Sequence, residues 1–427
     1  MSVGPTGKEL HMRIASLTLA AAVIATTGVF AQDGPVVIKG ATVFDGKGGI
    51  LRNTAILVSD GKIVRIDPSA QGTTYDLTGL TIMPGWIETH AHIASHFDRS
   101  TGRIHNEAES RGETLDQAML YTMENAYRIL MSGFTTVQSP GAEIDKNLRD
   151  WINDGRVPGP RILTSLRSLY DTSGSPEELR AKVRQLVADG ADFIKIFATK
   201  SIREGGGQSM SDAQIQAACG EAKALGKRTL VHAQGPEGAK AAILAGCTTI
   251  EHGNRLTDEV LDLMVKHGTY FDSNNHLLLH NYLENKEKYF GVGNYNEEGF
   301  RYMAQGLPIG NDTFKRALAK GVKMVQGTDA TAGAHGRLFE EMIYRVRDGG
   351  QKPMDAIIAA TSMAAESLNM QTQIGTIAPG MQADIIALDG NPLEDITALR
   401  RAVFVMKGGK VFKNERPGPR ASGRATR

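Results

Sequence analysis

Cysteine is nearly absent from this sequence, because its 427 residues include only Cys219 and Cys247. Two cysteines are too few for a disulfide framework or a zinc-ribbon site. An excess of charge of one sign is also absent, since 48 Lys and Arg residues accompany 47 Asp and Glu residues, for a net charge of +1. A near-neutral chain has no strong electrostatic attraction to phosphate backbones, so we expect no nucleic-acid partner.

Long hydrophobic runs are confined to the N-terminus. Residues 12–31 have a short positive start, an apolar stretch and the small-x-small ending Val29-Phe30-Ala31. This pattern is typical of a secretory signal peptide cleaved before Gln32, with residues 1–11 as an upstream extension. An N-terminal membrane anchor is the alternative, although the apolar run is short and broken by Thr and Gly. We expect a periplasmic or secreted protein with no membrane association after cleavage.

Short β-type runs separated by Asp-Gly and Gly-Gly turns occupy both ends of the remaining chain. They lie in residues 32–84 and 379–415, and neither group has enough strands to bury a core alone. We therefore expect the two ends to form one small β-sandwich domain. Residues 416–427 are a basic tail without hydrophobic periodicity, which predicts disorder.

Residues 85–378 alternate buried strand patterns with amphipathic helix patterns. Helix patterns at 175–190 and 211–226 each begin with a serine N-cap and end with glycine. We predict eight strands, at 86–91, 133–138, 161–165, 192–198, 228–233, 247–252, 269–273 and 322–328. Eight strands each followed by a helix predict an α/β fold, the (β/α)8 TIM barrel, with its active site at the C-terminal strand ends. An open doubly wound sheet is the alternative, but no G-x-G-x-x-G motif follows the first strand.

Metal-ligand side chains recur at the predicted strand ends. His90 and His92 close the first strand, and residues i and i+2 of a strand point to the same face, so these imidazoles can chelate one metal. His232 and His252 end the fifth and sixth strands, and Asp329 ends the eighth. Each of these alone is more often a structural histidine or a helix N-cap. Their spacing, however, fits whole βα units of about 30 residues, which favours a shared site.

Lys195 lies in the middle of the predicted fourth strand, on the same face as Phe193 and Phe197. An isolated buried ammonium is rare and costly, so burial there favours the neutral amine. A neutral amine can add carbon dioxide to form a carbamate, an anionic ligand able to bridge two metals. The alternative is a lysine whose ammonium reaches solvent at the strand end.

The sequence resembles the amidohydrolase superfamily, specifically its binuclear-metal branch with a carboxylated lysine. The resemblance covers nearly the whole mature chain and points to the group of prolidase-like and other Xaa-dipeptidases, ochratoxin-hydrolysing amidases and imidazolonepropionase-like chains. It rests on the segments I-M-P-G-W-I-E-T-H-A-H, G-F-T-T-V, G-A-D-F-I-K-I-F-A, V-H-A-Q, I-E-H-G, G-T-D-A and I-G-T-I-A-P-G-M-Q-A-D-I-I-A-L-D-G-N-P.

The resemblance implies two divalent metal ions, which we expect to be zinc. The equivalents of His90, His92 and Asp329 bind the first ion in that family. Those of His232 and His252 bind the second, and Lys195 as N6-carboxylysine bridges both. Two such ions lower the pKa of a bridging water to about neutrality. Asp329 is then the catalytic residue that accepts and returns a proton.

This site predicts an enzyme that cleaves a carbon–nitrogen amide or peptide bond of a small molecule. The resemblance implies dipeptides, N-acyl amino acids or ochratoxin-like amides as substrates. A cyclic amide hydrolase and a mononuclear deaminase are alternatives within the superfamily, but the deaminases lack the strand-four lysine. A catalytically inactive scaffold is a further alternative, although all six ligand positions carry ligand-type residues here.

Two departures from the family pattern affect the substrate pocket. Gln138-Ser139 stands where many relatives carry Arg-Asp, and Asp272-Ser273-Asn274 replaces a common P-T-L. Substrate specificity therefore does not carry over from the resemblance.

Two features point to substrate contacts. Arg203 lies just after the fourth strand and can hold a carboxylate in a bidentate pair, so we predict that it binds the substrate carboxylate. The alternative is pairing with Glu204 or with solvent. Residues 276–321 contain six aromatic residues and are predicted to form a loop and helix that line or cover the pocket. An oligomer contact is the alternative for these aromatics, and we expect a homo-oligomer.

Overall fold

The computed structural model describes residues 35–105 and 112–415. The predicted signal peptide and basic tail lie outside these residues. The strands are β1 (Val36–Phe44), β2 (Ile50–Ser59), β3 (Lys62–Ile66), β4 (Tyr75–Asp76), β5 (Thr81–Pro84), β6 (Trp86–Glu88), β7 (Phe134–Ser139), β8 (Arg161–Thr164), β9 (Ser168–Leu169), β10 (Ile194–Phe197), β11 (Thr229–Ala233), β12 (Thr249–His252), β13 (Tyr270–Asp272), β14 (Lys323–Met324), β15 (Ile385–Leu388), β16 (Ala402–Lys407) and β17 (Lys410–Asn414).

The helices follow the strands of the central region. They are α1 (Leu115–Met131), α2 (Ile144–Asn153), α3 (Pro176–Ala188), α4 (Asp212–Ala224), α5 (Pro236–Leu244), α6 (Asp258–His267), α7 (His276–Glu284), α8 (Lys286–Tyr289), α9 (Glu297–Lys320), α10 (Phe339–Arg347), α11 (Pro353–Ala359) and α12 (Ser362–Ser367). Within the described ranges, no helix combines the length and the apolar character needed to cross a membrane.

Strands from both chain ends form one mixed sheet in the order β17-β16-β15-β5-β1-β2-β3, with β4 paired to β1. The two ends meet where β15 pairs antiparallel with β5, opposing Ile386 to Met83. Apolar side chains from both ends fill a common core beneath this sheet, among them Ile38, Ile56 and Phe404. The two chain ends therefore depend on each other for burial, whereas the second layer of a sandwich and the domain bounds stay predictions.

Every one of the eight predicted strand positions carries a strand, which confirms the α/β class. The strands pair parallel in two sheets, β6-β7-β8 and β14-β13-β12-β11-β10-β9. The third predicted strand, 161–165, is β8, and the short β9 follows it as an additional strand. Leu166 lies between the two and has a left-handed backbone with φ 61° that interrupts the extended chain.

Strand pairing does not close these two sheets into one barrel among the described residues. Isolated backbone hydrogen bonds connect their ends instead. Asp192 donates to Thr164 on one side, and on the other side Thr89 donates to Gln326, His92 to Ala330 and Asp329 to His90. The first and eighth strands thus lie beside each other, which brings His90 and Asp329 to the same region.

The helices cover the outer face of the parallel strands as amphipathic elements. Ser175 caps α3 by accepting from the Glu178 N–H, and Ser211 caps α4 in the same way, as the sequence pattern predicts. Ile194 and Ile196 of β10 pack into the outer core with these helices, which leaves Lys195 on the inner face.

A single disulfide joins α4 to the turn that precedes β12. Cys219 and Cys247 form it, with a Cα–Cα distance of 5.4 Å. The sequence pattern excludes a disulfide framework but does not predict this bridge, because the two cysteines become neighbours only when α4 packs beside the following strand.

Candidate metal centre

All six predicted ligand residues line one cavity at the C-terminal ends of the parallel strands. The cavity volume is about 430 Å³. The same cavity wall includes the predicted substrate-binding Arg203 and two of the six aromatic residues, Tyr282 and Tyr295. The structure thus brings together side chains from strands that are far apart in the sequence.

His90, His92 and Asp329 form the tightest group. The Nε2 atoms of His90 and His92 lie 3.3 and 3.0 Å from the same oxygen, Asp329 Oδ1. That oxygen is buried and accepts no hydrogen bond from the described residues. Two imidazole nitrogens that converge on a buried carboxylate oxygen are a donor set that suits a divalent transition metal.

Asp329 reaches this position through an unusual backbone. Its φ is 50°, in the left-handed region that non-glycine residues rarely adopt, and its N–H donates to the His90 carbonyl at 2.6 Å. The surrounding hydrogen bonds therefore hold a costly conformation that turns the carboxylate toward the two histidines.

Lys195 is fully buried, with 0% of its surface exposed. Its Nζ lies 3.4 Å from His90 Nε2 and 5.1 Å from the centre of the Phe197 ring. Burial lowers the pKa of the Lys195 amine, although Glu251 and Asp329 oppose this effect. The alternative of an ammonium that reaches solvent does not fit this position.

His232 and His252 form the second histidine pair, with ring centres 4.4 Å apart. The Nε2 of His232 lies 3.2 Å from the Lys200 carbonyl, so its N–H donates there and Nδ1 keeps the lone pair that a metal needs. Burial lowers the pKa of His252 to about 3, and burial also lowers that of His232 well below its usual value. Both rings are therefore neutral, the state in which imidazole binds metals.

Strand alternation alone would send Glu251 and His252 to opposite faces of β12. Both instead reach the site, because His252 has a left-handed backbone with φ 68°. The ring of His252 lies 5.6 Å from that of His90, while Glu251 Oε2 lies 2.7 Å from His90 Nδ1. Glu251 thus orients His90 so that its Nε2 faces the other ligands.

Sequence reasoning missed the buried carboxylates beneath the ligands. Glu251 lies opposite Asp272 in the pairing of β12 with β13. Burial raises the pKa of Asp272 to about 7, and burial together with the nearby Asp272 raises that of Glu251 well above its usual value. The carboxylate in I-E-H-G was a signal that could have identified Glu251, because ligand histidines commonly have a carboxylate partner.

Glu88 is a further buried carboxylate that joins the first strand to the eighth. Its Oε1 accepts the N–H groups of His90 at 3.1 Å and Thr328 at 2.7 Å. Both bonds involve backbone within two residues of a predicted ligand. Glu88 therefore sets the distance between the segments that carry His90 and Asp329.

Arg203 follows β10 in a short 3-10 helix, Ile202–Glu204, and forms part of the cavity wall. Its guanidinium lies 4.1 Å from the centre of the Tyr295 ring, and its Nε donates to Asn294 Oδ1 at 2.6 Å. Glu204 instead accepts from the Asn294 side chain. The alternative pairing of Arg203 with Glu204 is not what the structure shows, because Asn294 lies between them.

The two departures from the family pattern lie at the base of the site. Gln138 donates to the Thr89 carbonyl and accepts from the buried Arg228 at 2.8 Å. Asn274 accepts the His252 N–H at 3.3 Å, and Asp272 accepts the Thr89 hydroxyl at 2.5 Å. These residues support the backbone around the ligands, so the departures change the base of the site and not the ligand set.

Comparison with known proteins defines the class of this fold and site. The sequence profile of the amidohydrolase family matches residues 81–412, and the chain therefore belongs to that family. Ochratoxinase of Aspergillus niger is 26% identical over an alignment that covers 90% of this chain and 88% of that protein.

Two solved structures extend the comparison. A Xaa-Pro dipeptidase with methionine bound in its active site is 30% identical, with a TM-score of 0.80, over 89% of this chain and 100% of that chain. A prolidase complexed with N-methylphosphonate-L-proline is 26% identical, with a TM-score of 0.78, over 90% of this chain and 100% of that chain.

These findings confirm the predicted superfamily and identify an amidohydrolase enzyme that hydrolyses amide bonds with divalent metal. They also imply the TIM-barrel fold, whose strands are present here in two sheets. An inactive scaffold is therefore no longer an alternative.

Proposed function

We propose that this protein is a binuclear metal hydrolase that cleaves the amide bond of a dipeptide or an N-acyl amino acid, including ochratoxin-like amides. The observation that carries the proposal is the convergence of a fully buried lysine with four histidines and an aspartate on one cavity. A lone buried amine is costly, whereas a lysine carbamate would supply the negative charge that two divalent cations require.

Each ligand has a role in this proposal. His90, His92 and Asp329 would hold the first ion, and His232 and His252 would hold the second. Lys195 would bridge both after its neutral amine adds carbon dioxide, which forms an N–C bond and releases one proton. We expect zinc, because imidazole nitrogen and carboxylate oxygen are the ligands of catalytic zinc sites.

Bound metal would supply an activated water at neutral pH and polarise the scissile carbonyl. Asp329 would accept the proton of that water and deliver it to the leaving nitrogen, which is general acid–base catalysis by one carboxylate. Glu251 would keep His90 in the required tautomer throughout. No cysteine nucleophile takes part, since both cysteines are joined in a disulfide.

The substrate class follows from Arg203 and its neighbours. A guanidinium that lies over the Tyr295 ring in the cavity wall can donate two N–H groups to a carboxylate in a bidentate pair. The methionine in one relative and the proline phosphonate in another are both amino-acid ligands. These observations favour a substrate with a free carboxylate over the cyclic amides and deaminase substrates of the alternative functions.

Metal content and activity of Lys195→Ala test this function. We expect the variant to lose hydrolysis of N-acyl amino acids and dipeptides and to retain less zinc than the wild type. Labelling with ¹³C-bicarbonate should give a carbamate signal in the wild type that is absent from the variant. Lys200→Ala is the matched control, because Lys200 is an exposed lysine in the same segment.

The Lys195→Ala variant can also contradict the proposal. Full activity and unchanged zinc in Lys195→Ala would refute the bridging role of this lysine. Release of ammonia without amide cleavage, together with one zinc at the six-residue site, would instead establish the deaminase. A screen of N-acyl amino acids and Xaa-Pro, Xaa-Arg and Xaa-Phe dipeptides would identify the acyl group and the leaving amino acid.

We also propose that the protein acts in the periplasm or outside the cell. The disulfide between Cys219 and Cys247 supports this location, because structural disulfides persist in oxidising compartments. A small-molecule substrate, a homo-oligomeric state and the absence of nucleic-acid and membrane partners complete the proposal.

A further inference from the structure

A second group of metal-ligand side chains lies beside the cavity and takes no part in the proposed reaction. His96 Nε2 lies 2.8 Å from Glu113 Oε2, and His105 Nδ1 lies 3.4 Å from the same oxygen. The three ligand atoms all lie within 4.8 Å of one another. The His96, His105 and Glu113 side chains are only 6%, 21% and 11% exposed.

The tautomer of His96 points to a cation at this position. Its Nδ1 lies 2.9 Å from the Ala94 carbonyl, so Nδ1 carries the hydrogen and donates it. In a neutral ring, Nε2 then has only a lone pair, yet it faces a carboxylate oxygen. His105 Nδ1 is buried, has no hydrogen-bond partner among the described residues, and faces that same oxygen. Two imidazole nitrogens and one carboxylate oxygen therefore converge on one point, where a cation could bind all three.

The spacing of these donors fits a metal ion. Bonds of about 2.0–2.1 Å in a tetrahedral zinc site place neighbouring ligand atoms about 3.3 Å apart. The observed separations of 2.8 and 3.4 Å lie on either side of that value. Asp98 adds a carboxylate oxygen 3.9 Å from His105 Nδ1, at the edge of the group.

The backbone holds the two histidines in place before any ligand binds. The His105 N–H donates to the His96 carbonyl at 3.0 Å, and Phe97 bridges Ile104 in an antiparallel pair. The His96 ring stacks on Tyr121 of α1 with ring centres 4.0 Å apart. His105 also lines the 430 Å³ cavity, so this group connects the cavity wall to the start of α1.

We propose that His96, His105 and Glu113 bind a further divalent transition metal ion, of the zinc class, separate from the six-residue centre. Two imidazoles and one carboxylate are a ligand set of zinc sites that keep an open position. The ion would clamp the hairpin of residues 96–105 to α1 at the edge of the substrate cavity. We expect the ion to fix that edge of the cavity.

Zinc analysis of the full chain tests this proposal. The wild type, His105→Ala, Glu113→Gln and Lys195→Ala are purified with zinc, dialysed against metal-free buffer and analysed for zinc per chain. We expect His105→Ala and Glu113→Gln each to lose one equivalent relative to the wild type. Lys195→Ala should keep that equivalent, and Lys195→Ala/His105→Ala should lose it. His267→Ala, which removes an exposed histidine of α6, should match the wild type.

Glu113→Gln keeps the assay informative if His105→Ala does not fold, because glutamine retains the length of the side chain and can donate an amide N–H to the lone pair of His96 Nε2. As a second readout, added zinc should raise the melting temperature of Lys195→Ala by more than it raises that of Lys195→Ala/His105→Ala. Equal zinc in the wild type, His105→Ala and Glu113→Gln would overturn the proposal and assign the group to a simple imidazolium–carboxylate pair. Unchanged zinc in Lys195→Ala would count against the proposed hydrolase centre and leave this test intact.

Discussion

At the scale of single residues, the site is built by placing ionisable groups where water cannot solvate them. Lys195 is fully buried, and Glu88, Glu251 and Asp272 lie equally deep around it. Burial works against every one of these charges, so the amine and the acids are each shifted toward the neutral form. A neutral amine and neutral imidazoles are what metal binding and carbamate formation require. The free-energy cost of burying these groups is offset by the packing of the rest of the fold.

Binding of the substrate carboxylate should depend on Arg203. We expect Arg203→Ala to weaken transition-state binding of N-acyl amino acids by about 2–5 kcal/mol, as loss of one member of a desolvated charge pair does. Substrates whose carboxylate is capped as an amide should be nearly unaffected. The measurement is kcat/KM for each matched pair of substrates.

Arg255→Ala is the control for that experiment, because Arg255 contacts the same segment through the Gly205 carbonyl but is exposed. Equal losses for the free and capped substrates, or no loss for either, would show that Arg203 does not hold the carboxylate.

Asp145 should make stability depend on pH. Burial raises its pKa to about 7 in the folded protein, although the Ser139 hydroxyl opposes the shift. The unfolded chain has the ordinary pKa, so between about pH 4 and pH 7 the folded state binds the extra proton, and stability falls as the pH rises. The slope from this group is on the order of 1.4 kcal/mol per pH unit. Above about pH 7 the full penalty is present.

Asp145→Asn should remove this penalty. We expect the variant to be more stable than the wild type at pH 8 by a few kcal/mol, and the gain to shrink toward pH 5. Urea denaturation at several pH values measures it. Asp116→Asn, at an exposed position of α1, should leave the pH dependence unchanged. A gain of equal size at pH 5 and pH 8 would contradict the assigned cause.

At the scale of elements, the disulfide is the one covalent link between α4 and the strand that carries His252. The bridged cysteines are separated by 28 residues. A loop of that length corresponds to about 3–4 kcal/mol of stabilisation through the unfolded chain. Because β12 carries both Glu251 and His252, loosening this link also affects the ligands.

Cys219→Ala should therefore lower the free energy of unfolding by about 3–4 kcal/mol, measured by urea denaturation under oxidising conditions. Reductant should destabilise the wild type by a similar amount and leave the variant unchanged. If reductant destabilised both proteins equally, its effect would not come from this bridge.

The segment after β13 contributes aromatic side chains to the cavity wall. Residues 276–321 were predicted as a loop and helix near the pocket, and they form α7, α8 and α9. Tyr282 and Tyr295 line the cavity, and both also pack with Tyr289 and Phe300 in a small core beside it. Lining of the pocket is thus confirmed for two aromatics, and the oligomer contact stays a prediction.

At the scale of the whole molecule, export is the feature that experiment can decide directly. We expect the protein expressed in a bacterium with its own leader to be recovered from the periplasm with an N-terminus at or near Gln32. N-terminal sequencing or intact mass measures it. Recovery of a membrane-bound chain that retains Met12 would instead favour the anchor.

The sequence by itself determined the alternation of strands and helices and the six predicted ligand residues that line one cavity. Hydrophobic periodicity and capping are local signals, so the positions of the eight strands and the starts of α3 and α4 were predictable. The histidines, Lys195 and Asp329 were recognisable because strand ends of this architecture meet at one edge, which makes their chain spacing informative.

Only the tertiary structure decided what surrounds those ligands. Glu251 and His252 both reach the site because His252 has a left-handed backbone conformation, which no local sequence pattern predicts. Two further contacts form only when separate elements of the chain pack together. They are the Cys219–Cys247 bridge and the contact of His96 with Glu113. The physical reason is that burial and proximity are set by how elements pack together. A residue's pKa, its partner and its role follow from that packing and not from its immediate neighbours.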